Sequence, residues 1–298
     1  MRVTNSMMLN TFKRNLSNNM RGMDRLQEQL SSNRRINRPS DDPVGITHSL
    51  RLRSNLVENE QYKKNVSDSL SWMEGTDGAL NEAGNALQRA RELAVKAANG
   101  TNDPDALNAI AMEIAQIREH LEAVANTEYA GRYIFSGTNT NAQAYLNGVW
   151  QGTGDKISYE ISPNVILPIN VNGTDVFGVD GPPGTGTSVF DDLKSLENDL
   201  LTDPPNFTSI SSRIGDIDKW VEKNLTTRAD VGARINRLEL AQSRLEDSNI
   251  NFQTLLTKTE DIDAAEVITN LQMQENVYKA ALSAGARIIQ PTLVDFLR

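Results

Sequence analysis

The chain has 298 residues, 38% of them hydrophobic and only 5% aromatic, with a formal net charge of −9 at pH 7 and no cysteine. The missing thiols exclude a disulfide framework and any thiolate-held zinc or iron–sulfur centre, and the acidic balance argues against a general nucleic-acid binder. So low an aromatic content suits long, narrow helix packing, in which Leu, Ile, Val and Ala line a seam, better than a thick globular core.

The N-terminus, MRVTNSMMLNTFKRN, has no apolar h-region, so no cleaved secretory signal is expected, and no apolar run is long enough to predict a membrane span. Leu9, Phe12, Leu16, Asn19, Met23, Leu26 and Leu30 alternate in steps of three and four, which predicts a first helix with a heptad seam and one polar member. RRINRPSDDPVG (34–45) then breaks the pattern. Pro39 biases Arg38 away from helix, and Asp42-Pro43 places a carboxylate before a proline at a first helical position, with Asp41 and Ser40 as alternative caps. The stretch therefore predicts a joint between two helices. Paired carboxylates can also serve acid–base or metal chemistry, but no His or Cys and no second carboxylate motif stands nearby at ligand spacing.

Val66, Leu70, Met73, Leu80, Leu87 and Ala94 continue the helical period, and Asp103-Pro104 opens a helix over 104–126 with the stripe Leu107, Ile110, Ile114, Ile117, Leu121 and Val124. From about Gly131 to Thr187 the composition changes to Gly, Asn, Thr and Pro. RYIFS (132–136), KISYEI (156–161), VILPINV (165–171) and DVFGV (175–179) read as strands, separated by turn signals such as LNG (146–148) and SPN (162–164). Boundary signals at Gly137 and Gly184 predict an insert that is separable from the helices. Ser188 is placed to cap the next helix, 204–226 is a weaker helical segment, and Val231, Ile235, Leu238, Gln242, Leu245, Asn249, Phe252 and Leu256 form another stripe. The last stripe runs through Ile268, Leu271, Glu275, Tyr278, Leu282, Gly285 and Ile289, after an acidic first turn, DIDAAE.

Three features imitate chemistry. GPPGTGTS (181–188) approaches a phosphate-cradling loop, but Thr187 stands where its lysine must be. His48 and His120 have no second histidine at helical ligand spacing, and DIDAAE lacks the glycine and terminal glutamate of a calcium loop. No catalytic residue, cofactor or metal site is expected, and the chain is read as a non-enzyme. Residues 1–38 carry eight Lys/Arg against two Asp/Glu, whereas 259–298 carry three against six, so the two ends are expected to pair by charge. Burial of six seam side chains does not clearly offset the ordering of the first arm, which makes an isolated two-helix arm marginal.

LQEQLSSNRRINRPSDDPVG (26–45), RARELAVKAANGTND (89–103) and NTEYAGRYIFSGTNT (126–140) resemble, in order and spacing, signature segments of the bacterial flagellin superfamily. LQMQENVYKAALSAGARIIQPTLVDFLR (271–298) resembles the C-terminal helix of its hook–filament junction branch. Pro39, Pro43 and PTLVDFLR favour that branch, because filament flagellins usually carry Ala-Ala at Pro39-Ser40 and Ala at Pro43. Asn33 departs from the family's usual glycine, which puts the local turn in question.

The resemblance implies a mainly α fold, a long antiparallel hairpin or coiled-coil bundle from both termini with a small β domain inserted in mid-chain. It implies an inner assembly domain of 1–42 with 259–298, a middle bundle of 43–136 with 188–258, and an outer β-rich domain of 137–187. Its assembly seam would be Leu9, Phe12, Leu16, Met23, Leu26, Leu30, Ile268, Leu271, Tyr278, Leu282 and Ile289. Pro39, Ser40, Asp41, Asp42 and Pro43 would form the interdomain joint. The implied role is structural: a ring of copies in the extracellular flagellum, between another hook-associated junction protein and flagellin, or alternatively the filament flagellin itself. Export would proceed through the flagellar type III route from a cytosolic chaperone, with no nucleic-acid or membrane partner.

Overall fold

The period-seven pattern becomes helices of great length. In the computed structural model, which describes residues 5–99, 102–178, 188–202 and 206–289, α1 covers Asn5–Ser32, α2 Pro43–Ala98 and α3 Pro104–Ala125. Short strands follow: β1 (Glu128–Tyr129), β2 (Arg132–Tyr133), β3 (Tyr145–Leu146), β4 (Val149–Trp150), β5 (Ser158–Ser162) and β6 (Val165–Pro168). Then come α4 (Gly173–Phe177), α5 (Val189–Leu201), α6 (Phe207–Glu260) and α7 (Ala264–Ile289). The fold is mainly α with a small central β region, as the sequence predicts. None of the described helices is long and apolar enough to cross a membrane. GPPGTGT (181–187) and PTLVDFLR (291–298) lie outside the described residues.

Two compact units emerge, Met1–Glu58 with Ser248–Arg298, and Asn59–Asp247. The second holds the main hydrophobic core. In α2, Asn59, Val66, Met73, Leu80, Leu87 and Ala94 are buried every seven residues, with Ser69, Thr76, Ala83, Ala90 and Ala97 between them. In α6, Ile210, Ile217, Asn224, Val231, Leu238 and Leu245 are buried at the same interval. A strict seven-residue period keeps one narrow stripe facing its neighbour along the whole helix. Arg228 of α6 donates to Asp77 at 3.0 and 3.3 Å and to Asn81 at 3.0 Å, and Arg91 of α2 pairs with Asp218 of α6. From Phe207 on, the weakly helical segment and the stripe beyond it form one helix of 54 residues.

The β region consists of three antiparallel hairpins, β1–β2, β3–β4 and β5–β6. Asn147-Gly148 at the tip of β3–β4 takes φ of 53° and 82°, the left-handed pair that a two-residue hairpin turn requires. DVFGV, expected as a strand, is instead α4 followed by Gly178. The reason is packing: Gly173 lies under the Trp150 ring, its N–H donates to Phe135 O at 3.1 Å, and the helical turn buries Val176 and Phe177.

The β region, which the boundary signals mark as a separable insert, packs into the helical core. Phe135, Tyr145, Trp150 and Phe177 form one aromatic cluster with Phe190 of α5, Tyr145 stacking on Phe190 at 4.2 Å and Phe177 meeting Phe135 edge-on at 5.3 Å. Ile161, Leu167, Ile169 and Val171 join the same core as α2, α3, α5 and α6.

Helix starts follow local chemistry. Ser188 Oγ accepts from Asp191 N at 3.1 Å and opens α5, as expected. Asp103 has the extended backbone of a cap before Pro104, but its side chain makes no capping bond; its carbonyl accepts from Ala106 N and Leu107 N instead. Asp263 caps α7 through Oδ1, accepting from Ala265 N at 3.0 Å and Glu266 N at 3.3 Å.

Candidate functional site

The first unit contains the terminal hairpin and the joint, the two features that the sequence marks for assembly. α1 packs on α7, and the pairing is antiparallel, since Phe12 meets Gly285 and Gly22 meets Gln274. On α1 the half-buried residues include Phe12, Leu16, Asn19, Met23, Leu26 and Leu30 of the predicted seam, together with Gly22 and Glu28, while Leu9 remains 37% exposed.

On α7 the seam is rotated from the expected one. Val267, Leu271, Gln274, Tyr278, Ala281 and Gly285 are buried or half-buried, whereas Ile268 and Leu282 are 42% and 44% exposed. Leu271 and Tyr278 thus face α1, Ile268 and Leu282 lie on the outer edge, and the side chain of Ile289 is outside the described residues. The cause is steric. The Phe12 ring occupies the space above Gly285, where an added Cβ would lie 2.6 Å from Phe12 Cε1, so Gly285, a member of the predicted stripe, turns inward with the small Ala281 in place of Leu282. The observed and predicted stripes share Leu271, Tyr278 and Gly285, with Glu275 half-buried too, and differ at Val267 for Ile268 and Ala281 for Leu282.

The expected pairing of opposite charges between the two ends is not what joins the helices: among the described residues no ion pair connects α1 to α7. Apolar seam contact and close approach at the two glycines hold them. Met7, Met8, Met20, Met273 and Val277 are exposed along with Leu9, Ile268 and Leu282, and no apolar side chain of α1 among the described residues is fully buried.

The joint begins at Asn33, which follows α1 with φ 55°. Asparagine is one of the few non-glycine residues that tolerate this left-handed conformation, so the departure from glycine keeps the turn. Arg34 then forms an antiparallel bridge to Asp261, and Arg35 N donates to Glu260 O at 2.5 Å. Arg38, Pro39, Ser40 and Asp41 make a β-turn closed by Asp41 N to Arg38 O at 2.9 Å, with Pro39 at its second position. Asp41 Oδ2 accepts from Arg38 N at 2.9 Å and Asn37 N at 3.3 Å, which secures the turn. Asp42 is therefore the residue that caps α2, accepting from Gly45 N through Oδ1 at 2.8 Å, and Pro43 takes the first helical position. Pro39 and Ser40 belong to the turn, and neither Ser40 nor Asp41 caps the helix.

Sequence reading missed the residues beneath this turn. Ile36 is buried, and an added Cβ on Gly45 would lie 2.6 Å from its Cδ1. Gln29 Nε2 donates to Arg35 O at 2.9 Å. Glu260, only 5% exposed, accepts from Ser49 Oγ and from Arg53 through both carboxylate oxygens, and lies 3.8 Å from Arg34 Nε. Hydrogen bonding to that carboxylate, more than the charge itself, raises the Arg53 pKa above its ordinary value. No local pattern announces Glu260, because its partners lie more than 200 residues away in sequence.

This arrangement offers surfaces and a fastened turn. Among the described residues no group of three or more His, Cys, Asp or Glu is placed to hold a metal ion. Comparison with known proteins gives a consistent picture. Residues 3–140 match the family model of the bacterial flagellin N-terminal helical region, and residues 212–297 that of the bacterial flagellin C-terminal helical region. Flagellin of Bacillus subtilis is 29% identical, covering 93% of this chain and 91% of its own length. Flagellar hook-associated protein 3 of Escherichia coli is 25% identical, covering 95% of this chain and 96% of its own length. The crystal structure of the flagellar junction protein FlgL from Legionella pneumophila superposes with a TM-score of 0.58 at 17% identity, covering 73% of this chain and 100% of that one. With both terminal regions matched, about three quarters of its length in all, and the paired terminal helices in place, the chain belongs to the bacterial flagellin family.

Proposed function

We propose that this chain is a structural, non-catalytic subunit of the bacterial flagellum, at the junction between hook and filament. The observation that carries the assembly role is the terminal hairpin, whose seam is only half-buried and whose outer edges expose Met7, Met8, Leu9, Met20, Ile268, Met273, Val277 and Leu282. Apolar edges of this kind gain most when neighbouring subunits cover them. The exposed Ile268 and Leu282 then belong to contacts between copies, while Phe12, Leu16, Met23, Leu26, Leu30, Leu271 and Tyr278 hold the hairpin itself.

Placement at the junction is supported by Pro39, Pro43 and PTLVDFLR, and by similarity to hook-associated protein 3 along nearly the whole of both chains. In this reading the partners are copies of the chain, the other hook-associated junction protein and flagellin. The subunit reaches the cell exterior by flagellar type III export, from a cytosolic chaperone and without a cleaved signal. The three-part division, 1–42 with 259–298 inside, 43–136 with 188–258 in the middle and 137–187 outward, belongs to the same proposal. Its inner boundary differs from the division by contacts, which falls at 58/59 and 247/248.

A second reading, filament flagellin, is favoured by the 29% identity to the Bacillus subtilis flagellin. A deletion strain separates the two. Loss of the junction leaves hooks intact and releases monomeric flagellin into the medium, whereas loss of the filament protein releases none. Purified chain that grows long filaments from seeds would overturn the junction reading.

A further inference from the structure

The 33–42 turn is the place where the terminal hairpin meets the first turns of α2 and the last turns of α6, all within one unit. Two bonds join it to the end of α6: Arg35 N to Glu260 O at 2.5 Å, which forms part of the bridge between Arg34 and Asp261, and the Arg35 guanidinium to Thr259 O at 3.0 Å. A further tie runs from Arg35 Nη2 to Asp42 Oδ2 at 3.5 Å, so the cap of α2 shares the same arginine. Beneath them the Glu260 side chain is buried and turned toward α2, where Ser49 is fully buried and Arg53 reaches it from the next turn. A carboxylate withdrawn from water in this way is held only while its donors stay in place. Those donors sit on the helix that the turn feeds. One side chain therefore links the end of α6, the start of α2 and the chain entering from α1.

We infer that Glu260 is a latch: with Ser49 and Arg53 it fastens the 33–42 turn to α2 and α6 and so positions the terminal hairpin. Its role is positional, since it touches the turn through its backbone and through its carboxylate beside Arg34, and α2 through that carboxylate's bonds from Ser49 and Arg53. The inference concerns the single subunit and does not depend on the junction reading.

Hydrogen exchange on the full chain tests it, with Glu260→Gln and Arg53→Gln as separate variants. Glutamine keeps the shape of residue 260 but opposes an NH2 group to the Arg53 guanidinium; the second variant leaves Glu260 intact and removes its charged donor. Peptides spanning 31–45 are expected to exchange at least tenfold faster in both variants, with those of 107–124 unchanged, because α3 lies in the other unit. Ser49→Ala, which removes one neutral donor, should give a smaller acceleration at the same place. Unchanged exchange at 31–45 in both glutamine variants would overturn the latch. An equal acceleration in 107–124 would overturn it too, since the effect would then be general loosening. Motility of the same strains is a separate readout, and a failure there with exchange at 31–45 accelerated bears on the flagellar role alone.

Discussion

Asn33, Asp42 and Gly45 bend the chain between α1 and α2, each for a different reason. Asn33 supplies a left-handed backbone, Asp42 an oxygen for an unpaired N–H, and Gly45 the absence of a Cβ beside Ile36 and the Asp42 carboxylate. Replacing Gly45 by alanine should force one of these neighbours to move, at about 1–3 kcal/mol, the usual cost of overfilling a packed site. Faster exchange at 36–46, with the core of α3 unaffected, is the expected signature. The proline–carboxylate pattern made a joint legible in the sequence, yet it could not choose among Ser40, Asp41 and Asp42. That choice is made by the β-turn, in which Asp41 is already committed to Arg38 N. Tyr145 gives a residue-scale test by pH. Burial, with Glu122 and Asp191 nearby, pushes its phenol up to about 12 from an ordinary 10.0. Between those values the unfolded chain loses the proton while the folded chain keeps it, so stability falls as pH rises. Denaturant melts from pH 9 to pH 12 should show this loss in the parent and a smaller one in Tyr145→Phe.

At the scale of elements, α6 carries a polar residue in its seam. Asn224 occupies a seam position in the middle of the series from Ile210 to Leu245, within the segment that reads as only weakly helical. In the structure Asn224 is buried, and neither atom of its amide has a hydrogen-bond partner among the described residues. It faces Gly84 of α2, where an added Cβ would lie 3.0 Å from its Oδ1. A buried polar group left unpaired costs about 1–3 kcal/mol. Asn224→Leu should therefore raise the urea midpoint, with an unchanged m-value, by an amount within that range. α4 departs from its strand reading. Val176 and Phe177 read as strand formers, but strand propensity mostly expresses fitness for a half-buried pleated surface, and the Trp150 ring over Gly173 offers a helical turn instead. The long helices were legible because their period repeats many times; the short β elements depend on contacts that no local window contains.

At the scale of the molecule, the two units differ in kind. The core runs through the second, whereas α1 rests on a half-buried seam. Elements with few buried apolar side chains open first, so mild trypsin treatment of the monomer should remove about 40 residues from each end and leave a core that no longer assembles. Exchange protection of residues 9–30 equal to that of 107–124 would contradict this. The β region, by contrast, is structural. Deleting about residues 140–186 would strip Phe177, Trp150 and Tyr145 from Phe135 and Phe190, and the remaining helical body should melt at least 10 °C lower, as expected when several buried aromatics are lost at once. An unchanged melting temperature would restore the picture of a detachable insert. Gly and Asn enrichment marked the β region, whose first strand already begins at Glu128, but composition does not reveal which side chains reach across to α5.

Phe12 over Gly285 and Gln274 beside Gly22 have a consequence for the register of the hairpin. Each helix of the hairpin has one glycine among its described residues, and each glycine accepts a larger residue from the other strand. The two pins are unlike one another, so exchanging them does not restore the fit. A slip of one heptad keeps apolar residues facing each other, which an ordinary coiled coil would tolerate, but here it brings Tyr278 toward Phe12 and sets Val267 in place of Gln274 beside Gly22. The hairpin thus carries two unlike marks of register, and a chain paired out of step loses the fit at both.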